Sequence, residues 1–138
     1  QSNISSTEND PRVLLLPEDP DKSAEKLCHK LKTGQLSQLS IIINDSAGRA
    51  WRNGSIGFAI GTNGFEALEN MIGHRDLYDR EMVVTEVAVA DELAAAASFL
   101  MGQANESAPV VLIRGAQIKP SNEGSAMLIR DKNKDLFR

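Results

Sequence analysis

The sequence predicts an α+β fold, a mixed sheet with flanking helices. Three observations carry that prediction. Short apolar runs of strand length recur at residues 12–16, 39–43, 82–84 and 110–113. Two intervening segments, 20–33 and 86–101, space their apolar residues for one-sided helices. A glycine-dense stretch, 48–64, supplies turn chemistry between short elements.

Residues 1–11 are polar and rich in turn formers, so they read as an irregular lead-in. The run 12–16 is stopped by Pro17, as a buried strand would be. Asp19 then caps a helix, Pro20 suits its first position and Gly34 lies just past its end. Ala24, Leu27, Cys28 and Leu31 form its apolar stripe. The β-branched run 39–43 is predicted as a central strand leading into Asn44-Asp45-Ser46. Residues 82–84 read as another strand. Residues 86–101 read as a long alanine-rich helix with Val87, Ala90, Leu93, Ala94, Ala97 and Met101 on one face and Gly102 as its stop. A buried strand at 110–113 and a short amphipathic helix after Ser121 complete the expectation.

The 138 residues fit one domain or one lobe of a larger protein. Composition is that of a globular chain, with 41% hydrophobic and 25% charged residues. A net charge of -4 argues against a general nucleic-acid binder, which carries a basic face. Cys28 is the one cysteine, which excludes an internal disulfide and points to a reducing compartment. No apolar stretch approaches the roughly 20 residues that span a bilayer, so no membrane role is expected. The start at Gln1-Ser2-Asn3 suggests a missing N-terminal part.

Among candidate functional residues Asp45 comes first. A carboxylate just after a hydrophobic strand stands where open sheets bind ligands, and Ser46 beside it makes a hard, all-oxygen pair suited to Mg²⁺ or Mn²⁺. A turn or cap aspartate is the plain alternative. Gly48, Gly54, Gly57, Gly61 and Gly64 allow backbone N–H groups to approach an anion, although tight turns account for them equally well. Arg49 and Arg52, flanking Trp51, form a candidate phosphate or substrate clamp; otherwise they are solvated arginines beside a core tryptophan. Gln103, in the segment that ends the alanine helix, offers an amide oxygen to a hard cation, although on the residues alone that segment reads as a plain helix-to-strand loop. Asp91 and Glu92 read as solvated or paired helix charges, His29 as a surface residue, His74 as a turn residue and Cys28 as core.

Taken in order, several motifs resemble the coenzyme F-420:L-glutamate ligase family. They are Leu15-Leu16-Pro17-Glu18-Asp19-Pro20-Asp21, then Asn44-Asp45-Ser46-Ala47-Gly48-Arg49-Ala50-Trp51-Arg52-Asn53-Gly54, Ala59-Ile60-Gly61 and Ala88-Val89-Ala90-Asp91-Glu92-Leu93-Ala94. Met101-Gly102-Gln103, Pro109-Val110-Val111-Leu112-Ile113-Arg114-Gly115 and the closing Asp135-Leu136-Phe137-Arg138 complete the set. The resemblance spans nearly the whole chain and implies the C-terminal part, residues 1–138, of a two-lobed ligase whose N-terminal part is absent. It also implies a cytoplasmic homodimer that uses GTP, Mg²⁺ or Mn²⁺, and K⁺ as a further cation. Its substrates would be F-420-0, activated as an acyl phosphate, and L-glutamate, whose amino group then forms the amide.

Carried over by position, the resemblance gives Asp45 as a metal ligand, Ser46 as the adjacent hydroxyl ligand of a second metal and Gln103 as a further metal ligand. It gives nucleotide contacts as Asn3 and the loop of Met101, Gly102, Gln103, Ala104, Asn105, Glu106, Ser107 and Ala108. The sequence departs from the family at three points. The aspartate of an Asp-x-Ser-Asn element would precede Gln1, Asp79-Arg80 stands where Gly-Arg is usual, and Ser55 stands where Gln is frequent. Two alternatives remain open: a related GTP-dependent amide ligase with another carboxylate acceptor, and a non-catalytic C-terminal lobe.

Overall fold

The computed structural model describes residues 2–7, 10–34 and 38–135, with side chains from Leu15 onward. In chain order the elements are β1 (Ser2–Thr7), β2 (Asp10–Leu14), α1 (Pro20–Leu31), β3 (Ile41–Arg49) and β4 (Arg52–Asn63). They continue with β5 (Glu69–Asn70), β6 (Glu86–Val87) and α2 (Val89–Met101), followed by short 3₁₀ turns at Ser125–Leu128 and Lys132–Lys134. Helices packed on small sheets make this an α+β fold. The ladders among the described residues are antiparallel, pairing β1 with β2, β3 with β4 and β5 with β6.

The long β3–β4 hairpin organises the rest. Its strands run in register from Ile41 opposite Asn63 to Arg49 opposite Arg52. Ala50 and Trp51 form the connecting turn, and Trp51 adopts a left-handed φ of 56°. A bulge opposite the Ile43–Asn44 step leaves Ile60 outside the pairing, since Ile43 faces Gly61 and Asn44 faces Ala59. Such a bulge bends a strand and re-aims the side chains that follow it. Here those are Asn44, Asp45 and Ser46.

Both helices lie against this hairpin, and two glycines let them come close. A Cβ on Gly57 would collide with the Ser98 side chain and lie 2.8 Å from the Ala94 carbonyl oxygen of α2. A Cβ on Gly61 would collide with Pro20 at the start of α1. Side-chain hydrogen bonds then tie each helix to a β4 backbone N–H that β3 does not take. The Asp21 carboxylate accepts from Thr62 N at 2.7 Å, and the Asp91 carboxylate accepts from Ala59 N at 2.9 Å. Between helices and hairpin lies a core of Ala59, Phe65, Ala67, Ala90 and Ala94, with Ile42, Val89, Leu93, Ile118 and Leu128 packed against it.

Helix α1 follows its sequence signals. Asp19 has extended dihedrals and its side chain accepts from Lys22 N at 2.9 Å, with Pro20 at the first turn. Ala24 and Cys28 are buried as the stripe required, whereas Leu27 and Leu31 stay exposed. Helix α2 starts at Val89 rather than Glu86, because Glu86 and Val87 pair with Asn70 and Glu69. It stops at Gly102, whose φ of 77° a side chain would oppose.

Several expectations are corrected. The irregular lead-in is instead largely a hairpin, because its polar residues pair backbone to backbone in β1 and β2. Residues 82–84 and 110–113 lack strand structure, and Val83, Val84, Val110 and Leu112 are exposed. A strand needs a continuous ladder: Met82 exchanges backbone hydrogen bonds with Gly73 and His74, but the pairing does not extend through Val83 and Val84 as a strand. The glycine stretch forms no turn-rich nest: Gly48 lies in β3, and Gly54, Gly57 and Gly61 lie in β4. Trp51 is exposed at the hairpin tip, not packed in the core. The closing residues 136–138 lie outside the described residues.

A candidate metal and phosphate pocket

Asp45 does not follow the strand; it lies inside β3, which continues through the polar residues to Arg49. There β3 meets the C-terminal end of α2. A cleft of about 120 Å³ opens between them, lined by Asn44, Asp45 and Ser46 from the strand and by Ser98, Met101, Gly102 and Gln103 from the helix end. Three residues chosen from sequence, Asp45, Ser46 and Gln103, therefore line one small cleft although two of them are separated from the third by more than fifty positions.

Each wall is fixed by hydrogen bonds. The Asp45 carboxylate accepts from the backbone N–H of Ser46 at 2.7 Å, which holds its orientation. Asn44 donates through Nδ2 to the Ala94 carbonyl at 3.0 Å, anchoring the strand to α2. Gln103 donates through Nε2 to Ser98 Oγ at 2.9 Å, so its amide plane is set by a helix residue. Below Gly102 the loop folds back: Glu106 accepts from Ala104 N at 2.8 Å. That bond, with one from its own backbone N–H, holds the Glu106 carboxyl below the usual glutamate range. A Cβ on Gly102 would collide with the Glu106 carboxyl, so the glycine also permits this fold-back.

The donor set suits a hard divalent cation. Asp45 supplies a carboxylate, Ser46 a hydroxyl and Gln103 an amide oxygen, and Mg²⁺ and Mn²⁺ take such oxygens together with phosphate oxygens and water. One carboxylate balances only half of a dication's charge, which favours an anionic co-ligand. No cluster of three His, Cys, Asp or Glu residues of metal-binding kind occurs among the described residues, so a cation here would rely on neutral oxygens.

Other candidates lie elsewhere. Arg49 and Arg52 face each other at the hairpin tip and do not line the cleft. Asp45 and Arg49 are four positions apart along the strand, roughly 13 Å at strand rise. Asn3 lies in β1 opposite Val13, and its side chain is outside the described residues. Ala104, Asn105, Glu106, Ser107 and Ala108 continue from the cleft as a loop, with Ser107 at a left-handed φ of 55°. Sequence reasoning missed Asn44 and Ser98 as cleft residues. Their signals were faint: Asn44 shares the alternation of Ser46, and Ser98 is four residues after the buried Ala94.

The family model for F420-0:gamma-glutamyl ligase matches residues 1–115, which include every cleft residue. The chain belongs to this family. The coenzyme F420:L-glutamate ligase of Methanocaldococcus jannaschii is 45% identical over 126 residues, covering 91% of this chain and 51% of that protein. The namesake from Methanococcus maripaludis is 47% identical over 123 residues, covering 89% and 50%. That of Archaeoglobus fulgidus is 43% identical over 127 residues, covering 91% and 50%. The chain thus spans about half the length of the curated relatives it matches. One departure from the F420-0:gamma-glutamyl ligase pattern has a physical counterpart. Asp79, standing where that resemblance places glycine, has a φ of 63°, the left-handed region glycine enters freely.

Proposed function

We propose that this chain forms part of a ligase that joins L-glutamate to F-420-0 through an amide bond, using GTP and Mg²⁺ or Mn²⁺. The meeting of Asp45, Ser46 and Gln103 in one cleft is the observation that carries the reading. In the proposed reaction a carboxylate oxygen of F-420-0 attacks the γ-phosphorus of GTP, and GDP leaves with the electron pair of the broken P–O bond. The resulting acyl phosphate is attacked at its carbonyl carbon by the glutamate amine, which loses a proton as inorganic phosphate departs. Both steps move charge onto phosphate oxygens, and a bound divalent cation would neutralise it.

The chain's own contribution is to orient donors. Asp45, Ser46 and Gln103 would hold the divalent cations, and the loop after Gly102 would lie against the phosphates. No side-chain nucleophile is required, because the acyl group is transferred from phosphate directly to the amine. The reading also carries the family expectation of a homodimer in the cytoplasm; among the described residues no helix is long and apolar enough to cross a membrane.

The test is GDP release by the intact protein containing this chain, measured with and without F-420-0, glutamate and Mn²⁺. Release should require all three and fall at least about a hundredfold in Asp45→Asn, since one lost charge-stabilising group costs on the order of 3 kcal/mol in such sites. Unchanged turnover in Asp45→Asn would remove the metal assignment. GDP release independent of glutamate would remove the ligase reading.

A further inference from the structure

Asn44 lines the cleft next to Asp45, and its side chain is only half used. Nδ2 donates to the Ala94 carbonyl at 3.0 Å and lies 4.0 Å from Met101 Sδ. Only the NH₂ end of an amide can donate to a carbonyl, so this bond fixes which end is which. The other end, Oδ1, is buried and has no hydrogen-bond partner among the described residues. A buried, unpaired amide oxygen is costly, so it calls for a partner beyond the described residues.

The surroundings define that partner. Asn44 and Ser46 are two residues apart on β3, the spacing that puts side chains on one face of a strand. Asp45 and Gln103 complete the cleft wall. An orphaned amide oxygen on a residue that lines the same cleft as Asp45, Ser46 and Gln103 matches a ligand for a hard cation. We propose that Asn44 Oδ1 is a further oxygen donor to the divalent cation of this cleft. Through Nδ2 the same amide is bonded to α2, so the residue joins the strand wall and the helix wall and holds the donor oxygen in place. This inference rests on the metal reading of Asp45 above.

Two substitutions separate a ligand from a structural strut. Asn44→Ala and Asn44→Asp both lose the Nδ2 bond to Ala94, but only the aspartate keeps an oxygen donor. Mn²⁺ binding to the intact protein is measured by titration with electron paramagnetic resonance, beside thermal unfolding with and without Mn²⁺. Affinity should fall about tenfold in Asn44→Ala, the scale of a lost supporting contact at a metal site. In Asn44→Asp it should return to the wild-type value or better, and Mn²⁺ should raise the melting temperature more than in Asn44→Ala. Equal loss in both variants would assign Asn44 to structure alone, and wild-type affinity in Asn44→Ala would remove it from the site. Asp45→Asn is the control for the underlying reading: if it binds Mn²⁺ as the wild type does, the cleft is not the metal site and both proposals fall.

Discussion

At the scale of single residues, backbone conformation decides what a position tolerates. Asp79 holds φ at 63°, accepts from Arg75 through its backbone carbonyl at 3.0 Å and pairs with the Arg75 guanidinium at 2.9 Å. Both side chains of that pair are well exposed, so the pair contributes little. The left-handed conformation costs an ordinary residue about 1–2 kcal/mol, and Asp less than most because its short polar side chain tolerates the region. Glycine would relieve that strain but add roughly 0.5–1 kcal/mol of unfolded-state entropy. The two effects nearly cancel. Asp79→Gly should therefore shift stability by less than about 0.5 kcal/mol, while β-branched Asp79→Val should lose about 1–3 kcal/mol. Urea denaturation with an unchanged slope would measure both, and an equal loss in the two variants would show that φ is not what constrains this position.

At the scale of elements, what was legible in the sequence was what is local. Asp19 and Pro20 announced α1 because a cap and a first-turn proline act within three residues. The runs 82–84 and 110–113 misled because strand preference reflects packing against neighbours that lie elsewhere in the chain. Asp45 was found for its chemistry but misplaced at a strand end. Ladder bonds to β4 extend β3 through polar residues that carry no hydrophobic signal. The contact between Asp21 and the chain near Ser125 was likewise invisible. Its carboxylate accepts from Thr62 N and from Ser125 N at 3.0 Å, joining α1, β4 and the 3₁₀ turn at Ser125–Leu128. Hydrogen bonds to a charged acceptor contribute about 1.5–3 kcal/mol each, so Asp21→Ala should lose roughly 3 kcal/mol or more. Asp91→Ala, which frees the single Ala59 N–H, should lose about half as much. Hydrogen exchange supplies the discriminating readout. In Asp21→Ala the amides of Thr62 and Ser125 should lose protection before Ala59 does, and unchanged protection at Thr62 would show that the carboxylate does not hold that edge.

At the scale of the whole molecule, surface area sets the expectation. The chain exposes 11189 Å², whereas a compact monomer of 15.0 kDa exposes about 7,000 Å². The buried core is small: it is mostly alanine, with Phe65 and Thr62 the largest fully buried side chains. Large apolar residues lie outside it. Phe99 is 86% exposed, Val110 82% and Leu112 67%. Exposed apolar surface of this extent takes up hydrophobic dyes and promotes association. The 138-residue chain on its own should therefore bind anilinonaphthalene sulfonate with strong fluorescence enhancement. Replacing Val110 and Leu112 together with lysine should lower that fluorescence severalfold. Because neither side chain belongs to the core, the change in stability should stay within about 0.5 kcal/mol, the range of surface substitutions. Two outcomes would refute the argument. Background fluorescence in the unsubstituted chain would mean that these residues are covered in solution. A cooperative loss of stability in the double variant would mean that residues 110–113 pack into the core after all, as the apolar pattern of the sequence first indicated.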